Sequence, residues 1–363
     1  MKTNVQKLAG GLPQFIDGVT IDAALIAGAV NRRYFSGFSS SAGVVLITRE
    51  QSYLLVDFRY FEAAKKKVQG LEVILFQNRE ETIIELLKKH AVSGVLLEQE
   101  EVSFKEANFL KNIIDDAGAI AVLDDTLDQL IRKMRMIKSP DELKKMKQAQ
   151  KVTEEAFSYI LPQIKPGVTE KELALSIEFF IRKQGAEAVA FDLIVVSGKN
   201  SSLPHGVPSD KPIELGDFIT IDIGAVVEGY HSDMTRTVAI GKINEEQKRI
   251  YEIVLDAQLK GIQKVKAGVT CSLIDQTVRE HIYSLGYEGC FGHSTGHSLG
   301  MKIHERPAFS TSDHTILRPG MVMTVEPGIY LNDRFGVRIE DMIVITENGC
   351  ENLTNASKEL IIL

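Results

Sequence analysis

The sequence predicts a mixed α/β (α+β) protein of two domains, the second of which has internal pseudo-twofold symmetry. Three observations support this prediction. The chain has 363 residues, a length typical of two ordinary domains. Short β-branched runs alternate with helix-like segments in the first third of the chain. In the remainder, one pattern of turns and helices occurs twice.

The composition excludes several classes of protein. The chain has 42 basic and 49 acidic residues, a net charge of -7, which is not the charge pattern of a nucleic-acid-binding protein. The cysteines are three, without a CxxC spacing, so neither a disulfide framework nor a cysteine zinc site is expected. Residues 1–10 do not resemble a signal peptide, and the apolar runs are too short to span a membrane. We therefore expect a cytoplasmic protein without membrane or nucleic-acid partners.

Residues 1–125 are predicted to form an α/β domain with a mixed sheet. Three short runs rich in β-branched and aliphatic residues predict strands; they are Ala42–Thr48, Ser52–Val56 and Gly94–Leu97. Two segments between them have helical spacing, Tyr60–Val68 and Glu80–His90.

A domain boundary is predicted at residues 126–138, which are interpreted as a linker, before a second domain of residues 139–363. Ser139 can cap a helix that has Pro140 at its first position, and Glu142 can reach back to the cap. The helix that follows has apolar residues at three- and four-residue spacing. It is predicted to end near Pro166 and Gly167.

The second domain contains a weak internal repeat. The turn Lys165-Pro166-Gly167-Val168-Thr169 returns 101 positions later as Lys266-Ala267-Gly268-Val269-Thr270. Each turn precedes a helix-like segment that ends at a glycine, Gly185 or Gly286, and then a predicted β-hairpin. Agreement at several landmarks indicates two copies of a helix, turn, helix and hairpin unit. Two such copies predict an α/β sandwich in which the hairpins meet at the centre.

Four carboxylates are predicted to lie within the strands of these hairpins, namely Asp222, Asp233, Glu326 and Glu340. Burying one unpaired carboxylate costs several kcal/mol, and a cluster of them would repel one another. The carboxylates are therefore either paired with basic residues or neutralised by a multivalent cation. The basic residues of these strands are Arg236 and Arg338 alone, which favours a metal site.

Histidines occur where such a site could use them. His293, His297 and His304 lie within twelve positions of one another in a glycine-rich segment, and His205 precedes the first hairpin. A site of oxygen ligands with one imidazole suits Mn(II), Co(II), Fe(II) or Zn(II), singly or as a pair. A pair of such ions suits the hydrolysis of an amide bond.

The motifs of residues 139–360 resemble those of the "pita-bread" metallopeptidases, a family that contains methionine aminopeptidase, aminopeptidase P and prolidase. The motifs are Ser201-Ser202-Leu203-Pro204-His205-Gly206, Ile221-Asp222-Ile223-Gly224, Ser232-Asp233-Met234-Thr235-Arg236-Thr237, His293-Ser294-Thr295-Gly296-His297, Ile303-His304-Glu305, Val325-Glu326-Pro327-Gly328-Ile329-Tyr330 and Val337-Arg338-Ile339-Glu340-Asp341. The first domain resembles the creatinase-type N-terminal domain of the proline peptidases, through residues 31–38 and 57–60.

The resemblance implies two divalent metal ions, with manganese or cobalt expected before zinc or iron. The implied ligands are Asp222, Asp233, His297, Glu326 and Glu340, of which Asp233 and Glu340 would bridge the ions. The resemblance also implies that Glu326 is the general base and that His205 and His304 steady the substrate carbonyl and the tetrahedral intermediate.

Two further positions match the proline-specific branch of the family, His293 and Arg338. The resemblance implies that both bind substrate, with Arg338 holding a substrate carboxylate or orienting a bridging metal ligand. One departure from the family pattern is Ser298, which stands where glycine is usual. Its side chain is expected to narrow the pocket or to adjust the loop of His297.

The expected function is hydrolysis of the bond between an N-terminal residue and proline in small peptides. Dipeptides are slightly favoured over longer peptides as substrates, and the family resemblance implies a homodimer. Methionine aminopeptidase has the same five ligands but usually lacks an N-terminal domain of this size. Relatives that are not peptidases lose the carboxylate ligands, and this sequence retains all of them.

Overall fold

The computed structural model describes residues 3–363 and divides the chain into two compact units between Arg135 and Met136. The segment 126–138, interpreted from sequence as a linker, is instead mostly a helix, Thr126–Met136. Leu127 and Ile131 bury one face of this helix, because residues four apart lie on the same side. None of the helices in residues 3–363 is long and apolar enough to cross a membrane.

The first unit alternates helices and strands, as its sequence predicts. Its helices are α1 (Asn4–Gly11), α2 (Ala29–Ser36), α3 (Phe58–Lys67), α4 (Arg79–Lys89), α5 (Phe104–Asp116) and α6 (Thr126–Met136). Its strands are β1 (Phe15–Ile16), β2 (Val19–Thr20), β3 (Ala23–Ile26), β4 (Val44–Thr48), β5 (Ser52–Val56), β6 (Glu72–Leu75), β7 (Gly94–Leu97) and β8 (Ile120–Val122).

The main sheet of this unit is mixed, with the strand order β6-β5-β4-β3-β7-β8. Strand β4 pairs antiparallel with both neighbours, whereas β5–β6, β3–β7 and β7–β8 are parallel. Leu25, Leu46 and Val95 are fully buried in a core that includes Ile83 of α4 and Ile114 of α5. The continuous apolar runs predicted as strands are thus strands of a sheet with little exposed surface.

The second unit contains four longer helices and many short strands. Its helices are α7 (Pro140–Ile160), α8 (Glu170–Lys183), α9 (Glu245–Lys264) and α10 (Cys271–Ser284), with short 3₁₀ helices at Leu161–Gln163 and Gly198–Ser202. Its strands are β9 (Ala188–Val189), β10 (Ile194–Ser197), β11 (Phe218–Ile223), β12 (Ala225–Val227), β13 (Tyr230–His231), β14 (Met234–Ala239), β15 (Gly296–Ser298), β16 (Glu305–Phe309), β17 (Val322–Val325), β18 (Gly328–Leu331), β19 (Phe335–Arg338), β20 (Asp341–Ile345) and β21 (Cys350–Asn352).

The start of α7 has the predicted geometry. The Ser139 hydroxyl accepts a hydrogen bond from the Glu142 backbone N–H (3.4 Å), and the Glu142 carboxylate accepts one from the Ser139 N–H (2.9 Å). This reciprocal arrangement satisfies two backbone donors that the first turn of a helix leaves unpaired.

Matching backbone hydrogen bonds confirm the internal repeat. The Gly167 N–H donates to the Ile213 carbonyl, and in the second copy the Gly268 N–H donates to the Leu317 carbonyl, both at 2.9 Å. Gly167 and Gly268 also have similar positive φ angles, 92° and 85°, which favour glycine. Each turn is therefore pinned in the same way to the chain that enters its hairpin.

The two copies place β11 and β17 at the interior of their sheets, which have the orders β10-β11-β14 and β16-β15-β17-β20-β21. The copies are joined by direct hydrogen bonds. The Thr237 hydroxyl donates to the Arg338 carbonyl (2.9 Å), and the Glu340 N–H donates to the Thr235 carbonyl (3.1 Å). Residues of the two hairpins therefore meet along one line.

One predicted strand is interrupted. The run from Tyr230 to Val238 forms two strands, β13 and β14, separated by Ser232 and Asp233. The Ser232 hydroxyl accepts a hydrogen bond from the Ala225 N–H (3.0 Å) and contacts the Thr153 hydroxyl (2.8 Å). These side-chain contacts accompany the backbone hydrogen bond from the Ser232 N–H to the Ala225 carbonyl (3.0 Å) at the break between the two strands.

Candidate active site

The structure brings all the candidate site residues of the sequence to one pocket of about 350 Å³ in the second unit. They are His205, Asp222, Asp233, His293, His297, His304, Glu326, Arg338 and Glu340. The wall also includes Phe191, Ile194, Pro204, Ser294 and Ile303, which sequence reasoning did not identify as site residues. Pro204, Ser294 and Ile303 are sequence neighbours of His205, His293 and His304, so the motifs could have pointed to them, whereas Phe191 and Ile194 come from another segment with no such signal.

The sequence predicted that all four carboxylates lie within strands, but the structure does not place all of them there. Asp222 lies within β11, but Asp233 precedes β14, Glu326 follows β17, and Glu340 lies between β19 and β20. Asp222 therefore lies in a paired strand, whereas each of the other three carboxylates lies next to the end of a strand.

Asp233, His297 and Glu340 offer ligand atoms that all lie within 4.8 Å of one another. The His297 Nε2 atom lies 3.5 Å from an Asp233 carboxylate oxygen and 3.4 Å from a Glu326 carboxylate oxygen. Within residues 3–363, Asp222 Oδ1 and Glu340 Oε1 are buried without a hydrogen-bond partner. Buried polar atoms rarely remain unpaired, so these oxygens are suited to a cation.

The electrostatics of the cluster lead to the same conclusion. Burial, reinforced by the charges of Asp222 and Glu326, raises the pKa of Asp233 well above its usual value. Burial, reinforced by Asp233 and Glu326, likewise raises the pKa of Glu340 well above its usual value. Burial raises the pKa of Glu326 too, although His293 and Arg338 oppose it. Without a cation, the cluster therefore retains protons that a metal would displace.

Arg338 is the cation built into the site, and its guanidinium is already engaged. It donates to Asp222 (2.6 Å), to the Tyr330 hydroxyl (2.9 Å), to the Pro204 carbonyl (3.2 Å) and to the Thr235 hydroxyl (3.2 Å). Of the two roles expected for Arg338, these contacts favour orienting a carboxylate of the cluster over holding a substrate carboxylate. The side chain is 4% exposed.

The ring of His297 is oriented by its own backbone. The Nδ1 atom lies 3.1 Å from the Ser298 carbonyl, and a hydrogen bond there places the proton on Nδ1. The Nε2 atom is then free to accept or to bind a metal, since the two nitrogens of a neutral imidazole have opposite roles. Burial lowers the pKa of His297, which favours this neutral form.

Two threonine hydroxyls support the carboxylates from behind, and sequence reasoning did not identify either. The Thr324 hydroxyl donates to Glu326 (3.0 Å) and accepts from the His297 N–H (3.0 Å). The Thr235 hydroxyl donates to Glu340 (2.7 Å). Alternation along the strands could have placed both threonines on the carboxylate face, because each lies two residues from a carboxylate.

The other histidines line the pocket in distinct surroundings. His293 Nε2 lies 2.9 Å from the Tyr330 hydroxyl, which also contacts Arg338. The rings of His304 and His297 meet edge to face at 4.5 Å. Burial lowers the pKa of both His293 and His304, so both are neutral near pH 7.

The loop that carries His205 is held at both ends by one buried carboxylate. Glu170 accepts hydrogen bonds from the backbone N–H groups of Ser197 (2.6 Å) and Ser209 (3.1 Å) and from both serine hydroxyls (2.9 and 2.7 Å). The side chain of Glu170 has no exposed surface. His205 is thus presented by a loop with fixed ends.

Ser298 does not narrow the pocket, contrary to one of the two expectations for it. Its side chain is fully buried, and its hydroxyl lies 3.3 Å from the Lys138 Nζ atom. Lys138 also pairs with Glu305 (3.5 Å). The hydroxyl therefore contributes to the packing behind the strand of His297.

The donor set fits divalent cations. It combines carboxylate oxygens with one imidazole, the ligands that manganese, cobalt, iron and zinc accept. The two buried carboxylate oxygens without hydrogen-bond partners among residues 3–363, Asp222 Oδ1 and Glu340 Oε1, belong to this set. The hydroxyls of Thr235 and Thr324 meanwhile orient two of its carboxylates, as supporting contacts do around metal ligands.

Comparison with known proteins supports these observations. An Xaa-Pro dipeptidase from Pyrococcus furiosus is 39% identical over 99% of this chain and 100% of its own length. The solved structure of an Xaa-Pro dipeptidase from Bacillus anthracis matches with a TM-score of 0.92 and 41% identity, over 99% of both chains. An X-Pro aminopeptidase from Thermotoga maritima matches with a TM-score of 0.88 and 40% identity, over 94% of this chain and 98% of its own.

Two family models divide the chain in the same way as the structure. The creatinase/prolidase N-terminal domain matches residues 12–137. The metallopeptidase family M24 matches residues 144–347, the region that contains every residue of the pocket described above. The chain therefore belongs to metallopeptidase family M24.

Proposed function

We propose that this chain hydrolyses the bond between an N-terminal residue and proline, with dipeptides as its preferred substrates. The observation that carries the proposal is the convergence of four carboxylates, three of them buried and Glu326 half-buried, and of His297 on one pocket with apolar walls. Similarity over nearly the whole chain to Xaa-Pro dipeptidases adds support. The match of residues 12–137 to a creatinase/prolidase domain weighs against a methionine aminopeptidase.

The ligands that we assign to two divalent ions are Asp222, Asp233, His297, Glu326 and Glu340, with Asp233 and Glu340 between the ions. Manganese or cobalt is preferred to zinc or iron in this proposal. The chemistry that such a pair supplies is a water of lowered pKa and a polarised scissile carbonyl. The closeness of Asp233, Glu340 and His297 supports the assignment.

Proton transfer is assigned to Glu326. Its carboxylate lies in the pocket wall, with one oxygen held by the Thr324 hydroxyl at 3.0 Å. Burial raises its pKa in the metal-free pocket, and a carboxylate of raised pKa takes up a proton more readily. Glu326 therefore takes the proton of the attacking water and delivers it to the leaving proline nitrogen.

His205 and His304 are assigned to the substrate carbonyl. Both line the pocket, and a neutral imidazole can donate one hydrogen bond to the oxygen on which negative charge develops. Burial keeps the pKa of His304 low, so this histidine donates as a neutral ring. His293 is assigned to substrate binding at the Tyr330 side of the pocket.

Preference for proline follows from the nature of the scissile bond. An Xaa-Pro bond is a tertiary amide without an N–H group, so a site cannot bind it through that hydrogen. It must instead enclose the ring and bind the two chain ends. The apolar side chains of Phe191, Ile194 and Ile303 beside the histidines suit this requirement.

The second candidate is an Xaa-Pro aminopeptidase that acts on longer peptides. The observation that favours it is the similarity to the Thermotoga maritima enzyme, which is about as high as that to the dipeptidases. In addition, the contacts of Arg338 with Asp222, Tyr330 and Pro204 leave little of its guanidinium for a free substrate carboxylate. A homodimer in the cytoplasm is our proposal for either activity.

The test is hydrolysis of Met-Pro and Met-Pro-Ala-Ala by protein stripped with EDTA and then supplied with Mn(II) or Co(II). Met-Ala serves as the control peptide without proline. We expect rapid cleavage of Met-Pro, slower or no cleavage of the tetrapeptide, and none without metal. Preferred cleavage of Met-Pro-Ala-Ala would instead support the aminopeptidase, and intact proline peptides with metal bound would refute both.

A further inference from the structure

A buried ion pair lies behind the pocket on helix α10 and does not reach it. Asp275 and Arg279 form a two-pronged contact, with Nε–Oδ2 and NH2–Oδ1 distances of 2.9 Å each. Asp275 has no exposed surface, and the Arg279 side chain is 19% exposed. Neither residue lines the pocket, and the proposed chemistry uses neither.

Apart from a longer hydrogen bond from Arg279 to the Tyr283 hydroxyl (3.4 Å), the other hydrogen bonds of the pair are made with one segment, residues 291–295. Arg279 donates to the carbonyls of Phe291 (2.9 Å) and His293 (2.8 Å), and its guanidinium lies 4.5 Å from the Phe291 ring centroid. Asp275 accepts from the Thr295 N–H (3.1 Å) and the Thr295 hydroxyl (2.9 Å). One pair thus fixes the segment at its beginning, middle and end.

This segment leads directly to three candidate site residues. His293 lies within it, and His297 follows Thr295 by two residues. The carbonyl of Thr295 also accepts a hydrogen bond from the Glu326 N–H (2.8 Å). The pair therefore contacts the backbone of His293 directly, and it is linked to the backbone of Glu326 through Thr295.

We propose that Asp275 and Arg279 are positioning residues that set the placement of His293, His297 and Glu326 in the pocket. This inference rests on the proposed function for the roles of those three residues. Buried partners that fix functional side chains typically change metal affinity or activity 10- to 100-fold when removed, on the order of what outer-shell partners contribute. Removing the pair should therefore change metal binding and catalysis, although neither residue lines the pocket.

The test compares Arg279→Met and Arg279→Lys with Arg182→Met and Arg182→Lys. Arg182 provides a matched control because it also forms a pair at four-residue spacing, with Glu178 (3.0 Å), on helix α8, but both side chains are well exposed at 50% and 39%. The first measurement is the visible absorption spectrum and affinity of Co(II) added to EDTA-stripped protein. The second is kcat and KM for Met-Pro, with the thermal unfolding midpoint recorded for every variant.

We expect Arg279→Met to change the Co(II) spectrum, to weaken Co(II) binding about tenfold or more, and to lower kcat more than it raises KM. Arg279→Lys should recover part of the loss, because lysine keeps the charge but not the two-pronged geometry. Both Arg182 variants should match the unsubstituted protein. An Arg279→Met variant with unchanged spectrum, affinity and kcat would overturn the proposal.

A second variant covers the case in which Arg279→Met does not fold. Thr295→Val removes the hydroxyl bonded to Asp275 and keeps the shape of the side chain, and we expect it to shift the Co(II) spectrum and lower kcat severalfold. Unchanged values for folded Thr295→Val would then count against the proposal. The Co(II) spectrum does not depend on hydrolysis. If the protein binds Co(II) but cleaves no proline peptide, the proposed function is refuted. The Co(II) spectra of the variants then still test the positioning role of Asp275 and Arg279. A protein that takes up no Co(II) would refute both.

Discussion

Glu340 and Asp341 are neighbours in the chain and are equally buried, with 1% and 0% of their surface exposed. Their side chains nevertheless enter opposite kinds of environment. Glu340 faces the pocket and three other carboxylates, whereas Asp341 faces two cations on the other side of the strand. The pair shows that burial of a carboxylate does not by itself determine its charge state.

The surroundings of Glu340 leave its charge uncompensated. One carboxylate oxygen accepts from the Thr235 hydroxyl, and the other is buried without a hydrogen-bond partner among residues 3–363. Burial and the charges of Asp233 and Glu326 raise its pKa well above the usual value. Because a buried carboxylate with a strongly raised pKa does not stabilise the fold, we infer that Glu340 has a functional role.

The surroundings of Asp341 compensate its charge fully. It pairs with Arg236 (2.8 Å) and Lys358 (2.6 Å) and accepts from the Asn352 amide (2.7 Å). Although burial opposes ionisation, the charges of Arg236 and Lys358 lower the pKa of Asp341. The contrast separates a structural carboxylate from one that is available to a metal.

The largest effect is expected from Glu340→Gln. Activity should fall more than about 100-fold, the upper end of what even an outer-shell partner contributes, because a metal ligand is lost. The metal-free variant should be at least as stable as the unsubstituted protein, since the substitution removes repulsion. Steady-state kinetics, metal content by mass spectrometry and urea denaturation measure these effects, with exposed Glu347→Gln as the control. Lower stability of the metal-free Glu340→Gln protein would contradict this account of Glu340.

Asp341→Asn should lower the stability of the protein, the opposite of the effect expected for Glu340→Gln. Removing one partner of a buried ion pair destabilises a protein by about 3 kcal/mol, because Arg236 stays buried and Lys358 half-buried beside an uncharged amide. The loss should be the same with and without added metal. Urea denaturation in EDTA and in Mn(II) measures it. A stability unchanged by the substitution would mean that the cations of this cluster are compensated elsewhere.

The smallest expected effect is a change with pH in the stability of the metal-free protein. Because the folded-state pKa of Glu340 is raised, its contribution to stability is present at acid pH and is lost as the pH rises through that pKa. The stability advantage of Glu340→Gln over the unsubstituted protein should therefore be largest near pH 8 and shrink toward pH 5. Thermal unfolding in EDTA at both pH values measures the difference. An advantage that is the same at both pH values would contradict the raised pKa, because a Glu340 that is ionised at both would give no dependence on pH.

The sequence predicts the site better than it predicts the supports of the site. Motif order and strand alternation identified Asp222 and Glu326, because such signals are local. They did not identify Asp275 or Glu170, whose buried carboxylates act on loops about twenty or more residues away along the chain. Nothing in the sequence around Arg236 and Asp341 shows that the two meet.

For the fold too, features with local sequence signals were predicted and features that depend on distant residues were not. Apolar runs and capping residues predicted α7 and three of the eight strands of the first unit, β4, β5 and β7, and the repeated turns predicted the symmetry of the second. The break at Ser232 was not predicted, because it depends on Ala225 and Thr153 from other elements. The helix Thr126–Met136 was also missed, although Leu127, Leu130, Ile131 and Met134 follow the three- and four-residue spacing of an amphipathic helix.

The central claim is that the uncompensated carboxylates are retained to bind divalent cations. The most direct test is a calorimetric titration of EDTA-stripped protein with Co(II), repeated with Glu340→Gln and with Asp341→Asn. We predict two ions bound per chain in the unsubstituted protein and in Asp341→Asn, and fewer in Glu340→Gln. Absence of Co(II) binding to the unsubstituted protein, or equal binding by Glu340→Gln, would contradict the claim.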